Sequence, residues 1–148
     1  MPLSNKNAVT LLLDINQDIE EYAELTVKNI IDNKNFDELF YPPNNGLSDA
    51  EKAEFSKLSN NESLKNALRK VIADTTAGVI FNMLNILDGT AQPKNSDDNW
   101  TGIKLVDEDD NKNDEPFEDT LHDKFLETYW DWKKIRGDKR WKLDTHEE

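Results

Sequence analysis

Residues 62–88 read ESLKNALRKVIADTTAGVIFNMLNILD, and this stretch decides the fold. Leu64, Leu68, Val71, Ile72, Val79, Ile80, Met83, Leu84 and Leu87 recur at three- and four-residue steps, the spacing that lines side chains along one side of an α-helix. Phe81 and Ile86 widen that stripe. A helix apolar around most of its circumference belongs near the centre of its fold, so residues 62–88 are predicted to be the central helix. Gly89 follows where a left-handed cap is expected. A second pattern shares the helix: Asp74, Gly78, Asn82 and Asn85 fall at steps of four, four and three. Facing inward, they would line a small-ligand pocket. The structural alternative, favoured here, is that they are satisfied within the fold or lie on its outer side.

On the N-terminal side, residues 7–33 form a second amphipathic pattern. Leu12, Ile15, Ile19, Tyr22, Ala23, Val27, Ile30 and Ile31 oppose Asp14, Gln17, Asp18, Glu21, Glu24 and Lys28, which predicts a long helix with one buried face. Tyr41-Pro42-Pro43-Asn44-Asn45-Gly46 is turn chemistry, and Phe36, Leu39 and Phe40 are expected to pin that loop to the core. Ser48-Asp49-Ala50-Glu51 matches a capping box. It opens a short helix to about Leu58, which Ser59, Asn60 and Asn61 end before capping the next one.

Residues 90–115 are polar and turn-rich. Within them, residues 100–106 (WTGIKLV) have the composition of a short strand, with no evident partner strand. The last helix is expected from near Pro116, with Phe117, Leu121, Phe125, Tyr129 and Trp132 on its inner face. Glu118 and Asp119 suit its positive N-terminus, and Lys133, Lys134 and Arg136 its negative C-terminus. Gly137 is the expected stop. The pattern predicts a single all-α domain over residues 1–148. It is an irregular bundle of three long helices and one short helix, with an acidic loop over 90–115 and a charged tail over 138–148.

The chain has 148 residues, 18 basic and 31 acidic, for a net charge of −13. Such a surface repels nucleic-acid phosphates and anionic membranes and attracts basic proteins. The absence of cysteine excludes disulfides, thiolate metal sites and cysteine nucleophiles. Asp14, Asp18, Glu20 and Glu21 interrupt the first apolar run too early for a signal peptide. Asp74, Asn82 and Asn85 make residues 71–87 a poor membrane span. The expectation is a soluble, cytoplasmic chain with no membrane partner.

Residues 97–119 carry ten acidic side chains and two lysines. Asp107, Asp109, Asn111, Asn113 and Glu118 sit at positions one, three, five, seven and twelve of a twelve-residue window, the oxygen spacing of a calcium loop. Lys112 stands where that loop needs glycine, and Asp114 where it needs an apolar residue. Glu118, His122 and Asp123 form an incomplete metal-ligand set, more simply read as a surface pair between Glu118 and His122 one helical turn apart. No metal or cofactor is therefore assigned. There is no Gly-x-Ser-x-Gly elbow, Walker pattern or Gly-x-Gly-x-x-Gly. Lys133, Lys134, Arg136, Lys139, Arg140 and Lys142, interleaved with Trp132 and Trp141, resemble a nucleic-acid contact, a reading the net charge opposes. Trp130 points away from the inner face of the last helix, as interface anchors do.

In size, charge, lack of catalytic motif and aromatic-plus-acid surface, the chain resembles the small immunity proteins that neutralise bacterial toxins. The likeness is one of overall character and rests on no diagnostic motif. It implies a non-enzymatic acidic protein-binding module that inhibits a basic toxin, with Asp107, Glu108, Asp109 and Asp110 steering the partner and Trp130 anchoring it. The alternatives are a nucleic-acid mimic, a calcium- or metal-dependent protein using Asp107, Asp109, Glu118 or His122, and a small-ligand sensor using Asp74, Asn82 and Asn85.

Overall fold

The computed structural model describes residues 3–37, 39, 41–43, 46–109 and 114–137. Helix α1 spans Asn5–Val27 and continues into a π-helical turn, Lys28–Asp32. Helix α2 is Asp49–Ser56, α3 is Glu62–Leu87 and α4 is Leu121–Ile135. The fold is all-α, with three long helices and one short one. Residues 100–106, expected to suit a strand, are irregular. Gly102, at φ +83°, takes a left-handed conformation that interrupts extended backbone. An isolated antiparallel bridge joins Ser4 to Pro116.

Local chemistry sets the helix ends. The amide of Asn33 donates to the Lys28 carbonyl at 3.0 Å, closing the π-turn, and Lys34 turns the chain away at φ +54°. At α2 both halves of the capping box form: Ser48 Oγ accepts from the Glu51 amide at 3.3 Å, and the Glu51 carboxylate accepts from the Ser48 amide at 2.7 Å. The Ser48 amide, and after it the Ser48 hydroxyl donating at 2.8 Å, hold the Glu51 carboxyl below its ordinary pKa. Asn61 Oδ1 accepts from the Leu64 amide at 2.9 Å at the start of α3. Gly89 follows α3 at φ +72°, the left-handed position the sequence suggested.

Helix α4 begins at Leu121, five residues after the expected Pro116. Residues 115–117 are taken by backbone pairing with the chain start: Asn5 N–H donates to the Glu115 carbonyl and Phe117 N–H to the Leu3 carbonyl, both at 2.8 Å. A segment whose backbone is paired laterally cannot also wind into a helix. Phe117 and Glu118 therefore lie outside α4, and the expected one-turn Glu118–His122 pair does not exist.

The chain packs as two compact units. Of the described residues, the first comprises 3–19 and 76–137, the second 20–75. In the first, Ala8, Leu12, Ile19, Leu84, Leu121, Phe125 and Trp132 are buried. A polar knot joins α1 to α4 there. The buried Asn16 amide nitrogen donates to the Leu12 carbonyl (2.9 Å), the Phe125 carbonyl (3.2 Å) and Thr128 Oγ1 (3.2 Å). Buried polar groups are normally satisfied in this way.

In the second unit the core is Val27, Ile30 and Ile31, with Phe36, Leu39, Phe55, Leu58, Leu68 and Ile72 packed against it. Phe36 and Leu39 thus pin the loop as expected; Phe40 lies outside the described residues. Lys65 is buried in this unit, pairing with Glu62 and, at 2.9 Å, with Asp32. These two acids, Glu62 foremost, raise the pKa of its ammonium.

The prediction that α3 is central and broadly buried does not hold. Among its residues only Lys65, Arg69, Ala73 and Leu84 are buried, while Leu64, Val71, Val79 and Met83 are exposed. The buried positions fall on one arc of the helix, and a single arc covers only part of an all-round apolar surface. The deepest face belongs to α1 and its π-turn, where Ala8, Leu12, Ala23, Val27 and Ile31 are fully enclosed. By length and composition alone α3 is apolar enough to cross a bilayer.

Candidate acidic interaction surface

The acid-rich segment belongs to the first unit. Asp97, Asp98, Glu108, Asp109, Asp114, Glu115, Glu118 and Asp119 are all exposed. None of these eight carboxylates forms an ion pair with another described residue. Like charges of this density raise the local negative potential, and water hydrates them at little cost. Asp110 lies outside the described residues.

Asp107 differs from its neighbours. Its carboxylate accepts from the Ser4 amide at 3.1 Å and from Asn7 Nδ2 at 2.9 Å. It sits at the N-terminus of α1, where free amides and the helix dipole favour an anion. The Asn7 bond, followed by those from Ser4, holds its carboxyl below the ordinary aspartate range. Of the four acids expected to steer a partner, Asp107 is thus engaged within the fold, while Glu108 and Asp109 face solvent.

The loop is tied at its other end by Asp88, which sequence reasoning passed over. The Asp88 carboxylate accepts from the Leu121 amide (2.9 Å) and the His122 amide (3.0 Å), and lies 2.7 Å from His122 Nδ1. It supplies the N-terminal cap of α4 that Thr120 does not, since the Thr120 side chain instead donates to Asp123. Phe81 packs edge-on against the His122 ring, with centroids 5.5 Å apart. The only advance signal was an aspartate at a helix end; the 33-residue separation from its partner hid the contact.

The metal readings gain no geometry. Asp107 turns to α1, His122 to Asp88, and Asn111 and Asn113 lie outside the described residues. Among the described residues no group of three or more acidic or histidine side chains is placed to hold an ion. Asp74, Gly78 and Asn82 lie on the exposed side of α3, whereas Asn85 is half-buried and donates to the Phe81 carbonyl at 2.9 Å. A cavity of about 460 Å³ in the second unit is lined by Tyr22, Leu25, Thr26, Asn29, Ile30 and Leu39 and by none of that stripe.

On α4, Phe125 and Trp132 are buried and Tyr129 is half-buried. Trp130 points the other way and is 60% exposed. Its ring meets Tyr129 edge-on, with centroids 5.4 Å apart, and Lys133 Nζ lies 5.6 Å from its centroid. The remaining basic residues of the expected cluster, Lys139, Arg140 and Lys142, fall outside the described residues, as do Trp141 and His146. Compared with known protein families, curated proteins and solved structures, the chain gives no match.

Proposed function

We propose that this chain is a non-enzymatic acidic binding module whose partner is a basic protein. The reading is supported above all by the eight exposed carboxylates between Asp97 and Asp119 that form no ion pair with another described residue. Such a charge field accelerates encounter with an oppositely charged protein, by about ten- to a thousand-fold in strongly steered pairs. Glu108 and Asp109, together with Asp110, are assigned to steering. Trp130 is assigned to anchoring, because an exposed aromatic buries a large area when a partner covers it. Inhibition of a basic toxin is the specific role proposed, and a cytoplasmic location goes with it.

The test begins with the full chain as bait in lysate of its native host at low salt. A retained basic protein is then purified and its association rate followed by stopped flow. A variant carrying E108Q, D109N, D114N and E115Q is expected to associate roughly ten-fold more slowly at low ionic strength. The difference should vanish near 1 M salt, where the screening length is about 3 Å. Capture of no basic protein, or an association rate indifferent to salt and to the four substitutions, overturns the proposal.

A further inference from the structure

We infer that residues 103–106 are an unpaired strand edge that holds an extended, basic segment of the partner by backbone hydrogen bonding. This rests on the acidic-module reading above and specifies how the partner is gripped. Ile103-Lys104-Leu105-Val106 has strand composition, and residues 101–107 run without helix, turn or bend. Among the described residues, no amide or carbonyl of 101–107 bonds to another backbone group. A strand-forming stretch whose donors and acceptors face water is a template for a second strand. Both ends of the stretch are already held. The Asp107 carboxylate accepts from the Ser4 amide and Asn7 Nδ2 at 3.1 and 2.9 Å, and the Trp100 amide donates to the Asp97 carbonyl at 3.1 Å. An edge fixed at both ends has little left to order on binding.

A cavity of about 360 Å³ gives an incoming chain room: Leu87, Asp88, Gly89 and residues 101–104 line it. The Asp88 carboxylate is taken up by α4, so this wall offers backbone. The carbonyls of Leu87, Asp88 and Gly89 accept no backbone donor among the described residues. They form the negative end of α3, and no basic residue stands in its last turn. A Cβ on Gly89 or Gly102 would meet nothing within 4 Å, so the approach is clear at both glycines. Charge selects the occupant. Residues 97–109 carry five acids and one cation, Lys104. Asp97 and Asp98 precede the edge and Glu108 and Asp109 follow it, all four exposed. A row of amides and carbonyls is matched by another extended backbone, and the flanking negative charge favours one bearing lysine or arginine. A second copy of this chain, at net charge −13, is repelled.

The probe is a blocked nonapeptide of alternating lysine and valine, titrated into the full chain at low salt beside an analogue N-methylated at every residue. The analogue keeps the charge and the side chains but donates no backbone hydrogen bond, and its methyl groups block both strand edges. The unmethylated peptide is expected to bind roughly ten-fold more tightly, the effect of a few backbone hydrogen bonds. It should also slow amide exchange at residues 103–106. Equal affinities for the two peptides, or binding that leaves exchange at 103–106 unchanged, overturns this inference while leaving the acidic module standing. No binding of either peptide at low salt overturns both.

Discussion

Replacing Asp88 with alanine removes the carboxylate that closes the N-terminus of α4. Three donors lose their acceptor at once: the Leu121 amide, the His122 amide and His122 Nδ1, at 2.9, 3.0 and 2.7 Å. Loss of a single capping side chain costs about 0.5–2 kcal/mol, and a hydrogen bond to a charged group contributes about 1.5–3 kcal/mol. The Asp88 side chain is only 9% exposed, so water restores the freed donors incompletely. The contributions do not add in full because the three bonds share one acceptor. D88A is therefore expected to lower unfolding stability by about 2–4 kcal/mol, or about 6–12 °C in Tm for a chain of this size. D88N retains one oxygen but loses the charge that complements the helix dipole, and should cost about half as much. H122A leaves both backbone bonds and should cost least. Urea unfolding followed by circular dichroism gives the free energies, and amide exchange at Leu121 and His122 locates the effect. A D88A protein within about 0.5 kcal/mol of the parent, the range of ordinary surface changes, refutes the tertiary cap. So does H122A costing as much as D88A.

Asp107 has a depressed pKa in the folded state, so its contribution is present above the unfolded value of about 3.9 and is lost as pH falls through the lower folded value. D107N should thus be less stable than the parent at pH 6, with the two curves converging as pH falls through the lowered folded value in acid titrations of thermal stability. Val79 is 65% exposed on α3, so V79K should change stability by no more than about 0.5 kcal/mol in urea unfolding. A larger loss would show that this face is covered in the native protein.

The helices were legible because their causes are local. The capping box at Ser48 and Glu51, the Asn61 cap, and the α1 face of Leu12, Ala23 and Val27 depend on neighbours within a turn or two along the chain. Sequence periodicity reports such neighbours directly. Residues 62–88 show the limit. Their apolar pattern specified a helix but not which arc would be buried, because that depends on how many elements pack against it. The same limit placed the start of α4 too early. Pro116 and Glu118 carry sound N-terminal chemistry, but pairing of residues 115–117 with the chain start removed that segment from the helix.

The candidate site divides in the same way. Composition alone determined that the chain is acidic, that it lacks cysteine and any catalytic motif, and that its negative charge concentrates in residues 97–119. Trp130 was singled out because its neighbours Phe125, Tyr129 and Trp132 share a different face of one helix, and that geometry is fixed by a period of 3.6 residues. Only the tertiary structure separated the acids by task. Asp107 and Glu108 are adjacent and chemically alike, yet one carboxylate holds the N-terminus of α1 and the other faces water. The distinction arises from donors a hundred residues away, and charge counting along a chain carries no information about what the fold brings opposite each charge.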